Sequence, residues 1–146
     1  MNNPECYDPD CPFCRIVRGE QEAAIVYEDD ISLAFLDRRP VFHGHCLLIP
    51  RLHIETLPDL PPGLLQPYLT NVQRLCRAME RGLGAEGSLV LANNRVSQSV
   101  PHLHMHIIPR RKGDGLRGFL WPRLQYESEE QMTAIRDALR RAIAQV

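Results

Sequence analysis

The chain has 146 residues, 44% of them apolar, and a formal net charge of −1. That is material for one domain with a real core, and it excludes the strongly basic field by which a protein draws nucleic acid or an anionic membrane surface. Apolar runs are short, as at Cys46-Leu47-Leu48-Ile49, and fall far below the roughly 20 residues a membrane helix needs.

The first ten residues are polar and acidic, without the basic start and apolar middle of a signal peptide. The cysteines are Cys6, Cys11, Cys14, Cys46 and Cys76, an odd number. Together these suggest a cytoplasmic, reduced protein, in which a C-x-x-C points to a metal or redox role rather than to a structural disulfide.

Taken in chain order, residues 1–10 read as a loose tail and residues 11–146 as a single domain without repeats or linkers. Residues 24–28 and 31–36 are two short runs rich in β-branched and aromatic residues, separated by Asp29-Asp30, which predicts a hairpin. Residues 45–49, stopped by Pro50, predict a further strand. Over residues 62–83 the period changes: Leu64, Leu65, Tyr68, Leu69, Val72, Leu75, Cys76, Met79 and Leu83 recur at steps of three and four, one stripe of a long helix. Pro61 and Pro62 mark its start and Gly84 its end, although Pro67 allows a later start. Tyr68 and Met79 read as core. Residues 88–92 and 101–108 are strand candidates. Ser128 and Gln131 form a capping-box pattern ahead of Met132, Ile135, Leu139 and Ile143, a C-terminal helix. Clustered strands without regular alternation with helices argue for an α+β fold with an antiparallel sheet.

The segment Pro101-His102-Leu103-His104-Met105-His106-Ile107-Ile108-Pro109 alternates strictly between polar and apolar residues. On a strand, residues two apart share a face, so the three histidines point one way and Leu103, Met105 and Ile107 point into the core. Packing alone does not call for three imidazoles on one face, since each needs partners for both nitrogens. One ion is hard to share among all three: neighbours on that face are about 6.7 Å apart and the outer pair about 13 Å apart. At least one histidine is therefore left for other work, and His104, at the centre, is the candidate nucleophile. Imidazole attacks phosphorus well and forms a labile phosphoramidate, splitting one hard displacement into two easier ones. Its neighbours can stabilise charge on the phosphoryl oxygens or protonate the leaving group.

His102-Leu103-His104-Met105-His106-Ile107-Ile108 resembles the signature of the histidine triad family, H-φ-H-φ-H-φ-φ with φ apolar. The resemblance extends over residues 11 to about 112, through Phe35-Leu36-Asp37-Arg38-Arg39-Pro40, Gly44-His45-Cys46-Leu47-Leu48-Ile49-Pro50, Arg51-Leu52-His53, Gln98-Ser99-Val100 and Pro109-Arg110. It implies a histidine-triad fold, an antiparallel sheet with one long central helix and one C-terminal helix, usually paired as a homodimer whose sheets join. It implies nucleotidyl transfer or hydrolysis at the α-phosphate of an adenosine or other purine nucleotide derivative, with His104 as the nucleophile and His45 and His106 flanking and orienting it. Asp37 matches the position that contacts the ribose, and Gln98 and Ser99 match polar residues near the leaving-group side. Many members carry a stretch of the type N-x-G-x-x-A-G-Q before that serine. Here Asn93-Asn94-Arg95-Val96-Ser97-Gln98 is shorter and has no glycine, so it approaches a phosphate less easily through its backbone. Asn93 or Asn94 can still offer a side-chain contact.

Cys11-Pro12-Phe13-Cys14 has the spacing of a zinc knuckle, with a redox pair as the rival reading. The resemblance nominates the two further ligands, His53 and His102, and zinc is favoured. With all four positions filled, such a site is structural rather than catalytic. Cys6 and Cys76 read as plain thiols, Cys46 as core and His43 as a surface residue. The basic stretch Arg110, Arg111, Lys112, Arg117 and Arg123 either draws an anionic substrate or is a solvated face. Phe119 and Trp121 stack on a base or, by the resemblance, pack at a subunit interface. The expectation is thus a nucleotide hydrolase of histidine-triad type, with no nucleic-acid or membrane partner. Its rivals are a nucleotide-binding regulatory or interaction module with little turnover, and a metal-dependent enzyme with an open site.

Overall fold

A computed structural model describes residues 7–117 and 124–146. Cys6, Phe119, Trp121 and Arg123 lie outside the described residues. The chain divides into two compact units, one ending at Asp114 and one beginning at Gly115.

The first unit contains α1 (Pro12–Val17), β1 (Ile25–Glu28), β2 (Ser32–Leu36), β3 (Cys46–Pro50), a 3₁₀ turn (Leu57–Asp59), α2 (Pro62–Leu83), β4 (Gly87–Leu91) and β5 (Met105–Arg110). The strands form one sheet in the order β1-β2-β3-β5-β4, antiparallel at every pairing. The second unit contains α3 (Glu129–Ile143). The α+β class, the hairpin, the long helix and the C-terminal helix are all present. Helix α1 is additional to the two helices expected. Its six residues are too few to show a helical period, and Pro12 occupies its first turn, where a missing N–H costs nothing. Strand β5 begins at Met105 rather than at residue 101, because Leu103 donates its N–H to Ile54 O, off the sheet.

Alternation along the strands gives the sheet two dry faces. Ala34, Cys46, Leu48, Leu103, Met105 and Ile107 pack with Tyr68, Val72, Leu75 and Met79 of α2. Leu33, Phe35, Leu47 and Ile49 pack with Phe13, Cys14 and Ile16 of α1. His106 pairs across the sheet with Leu47, which places the triad on the α1 side.

Helix α2 runs over the expected span. Pro67 lies inside it near the start, where it removes one N–H of the early turns and leaves the rest of the ladder intact. Gly84 ends it at φ 64°, a left-handed backbone that favours glycine, and the Arg111 guanidinium donates to the last carbonyls, Leu83 O and Gly84 O. Two polar ties fix the helix to the sheet: Tyr68 Oη donates to Leu48 O at 2.7 Å, and Asn71 Nδ2 donates to Asp29 Oδ2 at 2.6 Å and Ser32 Oγ at 2.8 Å. Among the described residues, no helix is long and apolar enough to cross a membrane.

Candidate active site and metal centre

The three histidines share a face yet have different surroundings, and those surroundings decide which nitrogen of each ring is free. A carbonyl oxygen only accepts. His104 Nδ1 lies 2.7 Å from His102 O, so Nδ1 carries the proton and Nε2 keeps its lone pair. His102 Nε2 lies 2.9 Å from Pro50 O, so here Nε2 carries the proton and Nδ1 is the free base. His106 depends on His45: the Val41 backbone N–H donates to His45 Nδ1 at 3.1 Å, which leaves the proton of a neutral His45 on Nε2. That Nε2 lies 2.9 Å from His106 Nδ1 and donates to it, so His106 presents an Nε2–H. Along the segment the rings thus offer a base on Nδ1, a base on Nε2 and a donor on Nε2.

Burial disfavours the charged form of His45, His102 and His106. It pushes His106 down to about 4, helped by the neighbouring histidines, and it lowers His45 against the opposing pull of Asp37. His102 is likewise pushed down to about 4, chiefly by burial. His104 is 5% exposed and packs edge-on against Phe13, ring centroids 5.2 Å apart, and against His106 at 5.0 Å. An imidazole held this way has little room to rotate.

Beyond His45 lies Asp37. One carboxylate oxygen accepts from Arg39 N at 2.8 Å, and the other stands 3.7 Å from His45 Nε2. Asp37 also lines an open cavity of about 670 Å³, together with Glu22, Ala23, Ala24, Leu36 and Arg38. That volume is in the range of small-molecule sites.

On the other side of His104, Cys11, Cys14, His53 and His102 converge, with donor atoms all within 4.8 Å of one another. The sulfur-to-Nδ1 separations are 3.5 Å for Cys11–His102, 3.7 Å for Cys14–His102 and 3.2 Å for Cys14–His53. Tetrahedral zinc, with bonds near 2.3 Å to sulfur and near 2.05 Å to nitrogen, spaces such pairs about 3.6 Å apart. The donor set and its spacing therefore fit one closed four-coordinate ion. The bond from His102 Nε2 to Pro50 O supplies the outer partner that a metal-binding imidazole needs. In the apo state burial pushes the Cys14 thiol up to about 11.

Asp37, His45 and His106 also lie within metal-binding reach of one another. The tautomers argue against an ion there. It would need the lone pair of His45 Nε2, and the Val41 N–H at Nδ1 holds the proton on Nε2.

Of the remaining sequence candidates, Ser99 is exposed in the loop before the triad. Asn94 and Gln98 brace that loop: Asn94 Oδ1 accepts from Leu57 N at 2.9 Å, Gln98 Nε2 donates to Glu55 O at 2.6 Å, and Gln98 Oε1 accepts from Arg95 N at 2.7 Å. His43 is exposed and Cys46 buried, as expected. The parts that sequence reasoning missed are Phe13 and the Val41 N–H. An aromatic residue between two cysteines looks like core, and a backbone N–H has no residue type to read.

Sheet, triad and four-donor cluster together define a protein of the histidine-triad class. Residues 18–113 match the HIT domain family, and the chain belongs to that family. It is 40% identical over 109 residues to the adenylylsulfatase HINT3 of Arabidopsis thaliana, an alignment covering 73% of this chain and 55% of that protein, so the chain spans about half of that relative's length. It is 36% identical over 126 residues to the adenosine 5′-monophosphoramidase HNT1 of Saccharomyces cerevisiae, covering 84% of this chain and 76% of that one. Among solved structures, a Zn-bound histidine triad family protein from Mycobacterium smegmatis superposes with a TM-score of 0.70 at 36% identity, over 94% of this chain and 98% of that one.

Proposed function

We propose that this protein is a nucleotide hydrolase that acts at the α-phosphate of an adenosine or other purine nucleotide derivative through a nucleotidyl-His104 intermediate. The observation that carries the reading is the bond from His104 Nδ1 to His102 O, which fixes the ring with a proton on Nδ1 and turns Nε2 away from the backbone as the nucleophilic nitrogen of a buried site. Two relatives bear names of matching chemistry, an adenylylsulfatase and an adenosine monophosphoramidase.

In the first step His104 Nε2 forms a bond to phosphorus while the bond from phosphorus to the leaving group breaks. His106 Nε2–H hydrogen-bonds a phosphoryl oxygen or the leaving-group atom, His45 Nε2–H holds His106 in the tautomer that can do so, and a leaving amine takes its proton from solvent. In the second step water attacks phosphorus and gives up a proton to solvent, the bond to Nε2 breaks, and the nucleoside monophosphate departs with His104 restored. Asp37, which lines the cavity, takes the ribose hydroxyls in this reading. Cys11, Cys14, His53 and His102 would hold zinc, which when bound would supply a structural cross-link.

Intact-protein mass spectrometry after mixing with adenosine 5′-phosphoramidate tests the reading. A transient gain of one adenylyl group on the native protein is expected, with no gain and no turnover in His104→Gly. Full turnover in the variant would refute the nucleophile. No adduct and no nucleoside monophosphate from the native protein, across phosphoramidates and dinucleoside polyphosphates, would favour a binding module instead.

A further inference from the structure

The loop at residues 93–98 joins β4 to the triad segment and is tightly built. Asn93 Nδ2 donates to Ser97 O at 3.1 Å, Val96 N to Asn94 O at 2.8 Å, and Arg95 N to the Gln98 amide at 2.7 Å. The Gln98–Glu55 and Asn94–Leu57 bonds tie it to residues 55–57. Within it, Arg95 has φ 70° and Ser97 φ 58°. An L residue pays about 1–2 kcal/mol for that left-handed backbone, which glycine adopts freely. No glycine has been used at either position, and at Arg95 the chain carries instead its longest permanent cation. That guanidinium is exposed and has no ion pair among the described residues.

The position of the loop says what the cation is near. Residues 53–57, to which it is tied, begin at His53 of the four-donor cluster, and Ile54 O accepts from Leu103 N at 2.6 Å, between His102 and His104. The loop is thus on the His102 side of His104. Asp37, His45, His106 and the cavity are on the other side. With the ribose at Asp37, the second substituent of the α-phosphorus extends toward the loop. Asn94 Oδ1 and both polar atoms of the Gln98 amide take part in the ties, and Arg95 is the cation that the loop brings to that side.

We propose that Arg95 is a specificity determinant that selects nucleotide conjugates whose leaving group is an anion, a sulfate or a further phosphate, over those that release a neutral amine. This rests on the reading of His104 as nucleophile. As its Nε2 bonds to phosphorus and the P–O bond breaks, the electron pair passes to the departing sulfate or phosphate oxygen, and a guanidinium beside it stabilises the growing charge. Such a group leaves without a proton, whereas an amine must take one up from solvent as it departs.

The test compares kcat/KM for adenosine 5′-phosphosulfate, diadenosine tetraphosphate and adenosine 5′-phosphoramidate in the zinc-loaded native protein and in Arg95→Ala, Arg95→Gly and Arg95→Lys. The ratio of either anionic substrate to the phosphoramidate should fall about tenfold to a hundredfold in Ala and Gly alike and recover in part in Lys. The larger fall identifies sulfate or polyphosphate as the better fit. Glycine removes the backbone strain as well as the charge, so a fall in Ala but not in Gly would assign the effect to strain and overturn the proposal. An unchanged ratio, or a native protein that turns over the phosphoramidate alone, would overturn it and leave the nucleotidyl-His104 reading standing. Turnover of none of the three by the native protein would remove both.

Discussion

The chemistry of each triad histidine is set by one hydrogen bond on its far nitrogen. His102 O and Pro50 O fix two of the rings directly, and the Val41 N–H fixes the third through His45. A pH dependence follows for His106. Its folded pKa, about 4, lies below the ordinary histidine value near 6.5, because burial penalises the charged ring. As pH falls, the unfolded chain takes up the proton first. The stability this ring contributes is therefore complete above pH about 6.5 and is lost as pH falls toward 4, at up to about 1.4 kcal/mol per pH unit. Thermal melts of the zinc-loaded protein from pH 8 to 5 should show a steeper loss in the native chain than in His106→Asn. Equal slopes would mean that the ring titrates normally. That three histidines share a face was legible from alternation at two-residue spacing. Which nitrogen of each is free was not, because the partners are backbone groups of other segments.

Among the elements, the edge strand β4 has the most to say about assembly. Among the described residues it pairs with β5 on one side only, and Val90 is 40% exposed. An unpaired edge with an exposed β-branched residue is a ready template for another strand. The homodimer implied by the family resemblance is accordingly proposed to form by joining two sheets at β4. Light scattering should give a two-chain mass, and Val90→Lys, which sets like charges near each other across the seam, should shift it toward one chain. A one-chain mass for the native protein at tens of micromolar would refute the dimer. At this scale the sequence was a good guide where an element was long. Helix α2 showed its stripe over 22 residues, whereas α1, with six, is shorter than two helical turns. The N-terminal cap of α3 was also legible: Ser128 Oγ accepts from Gln131 N at 3.1 Å, and the Gln131 amide reaches back to Glu127 N at 2.7 Å, one residue earlier than the usual box.

Over the whole molecule, the four-donor cluster ties three distant stretches: α1 through Cys11 and Cys14, the segment after β3 through His53, and the triad segment through His102. A zinc ion there would hold α1, and with it Phe13, against the His104 ring. If the site is structural, a strong chelator should lower the Tm by an amount on the order of 10 °C, with recovery on adding zinc, and Cys14→Ser should melt at the lower temperature with or without zinc. A Tm indifferent to chelation would refute a structural metal. Immediate loss of turnover at a temperature where the apo protein is still folded would point to a metal in the chemistry.

By itself the sequence determined what periodicity and residue type can carry: the antiparallel strands, the long helix, the shared histidine face, and cysteine and histidine donors matching a known pattern. Those are local properties, written into spacings of two, three and four residues. Only the tertiary structure decided that the Gln98 and Asn94 amides serve the loop, that Arg95 takes a backbone suited to glycine, and that Val41 N–H orients His106 through His45. The physical reason is that a hydrogen bond belongs to a pair. A sequence names every donor and acceptor, and only the fold says which of them meet.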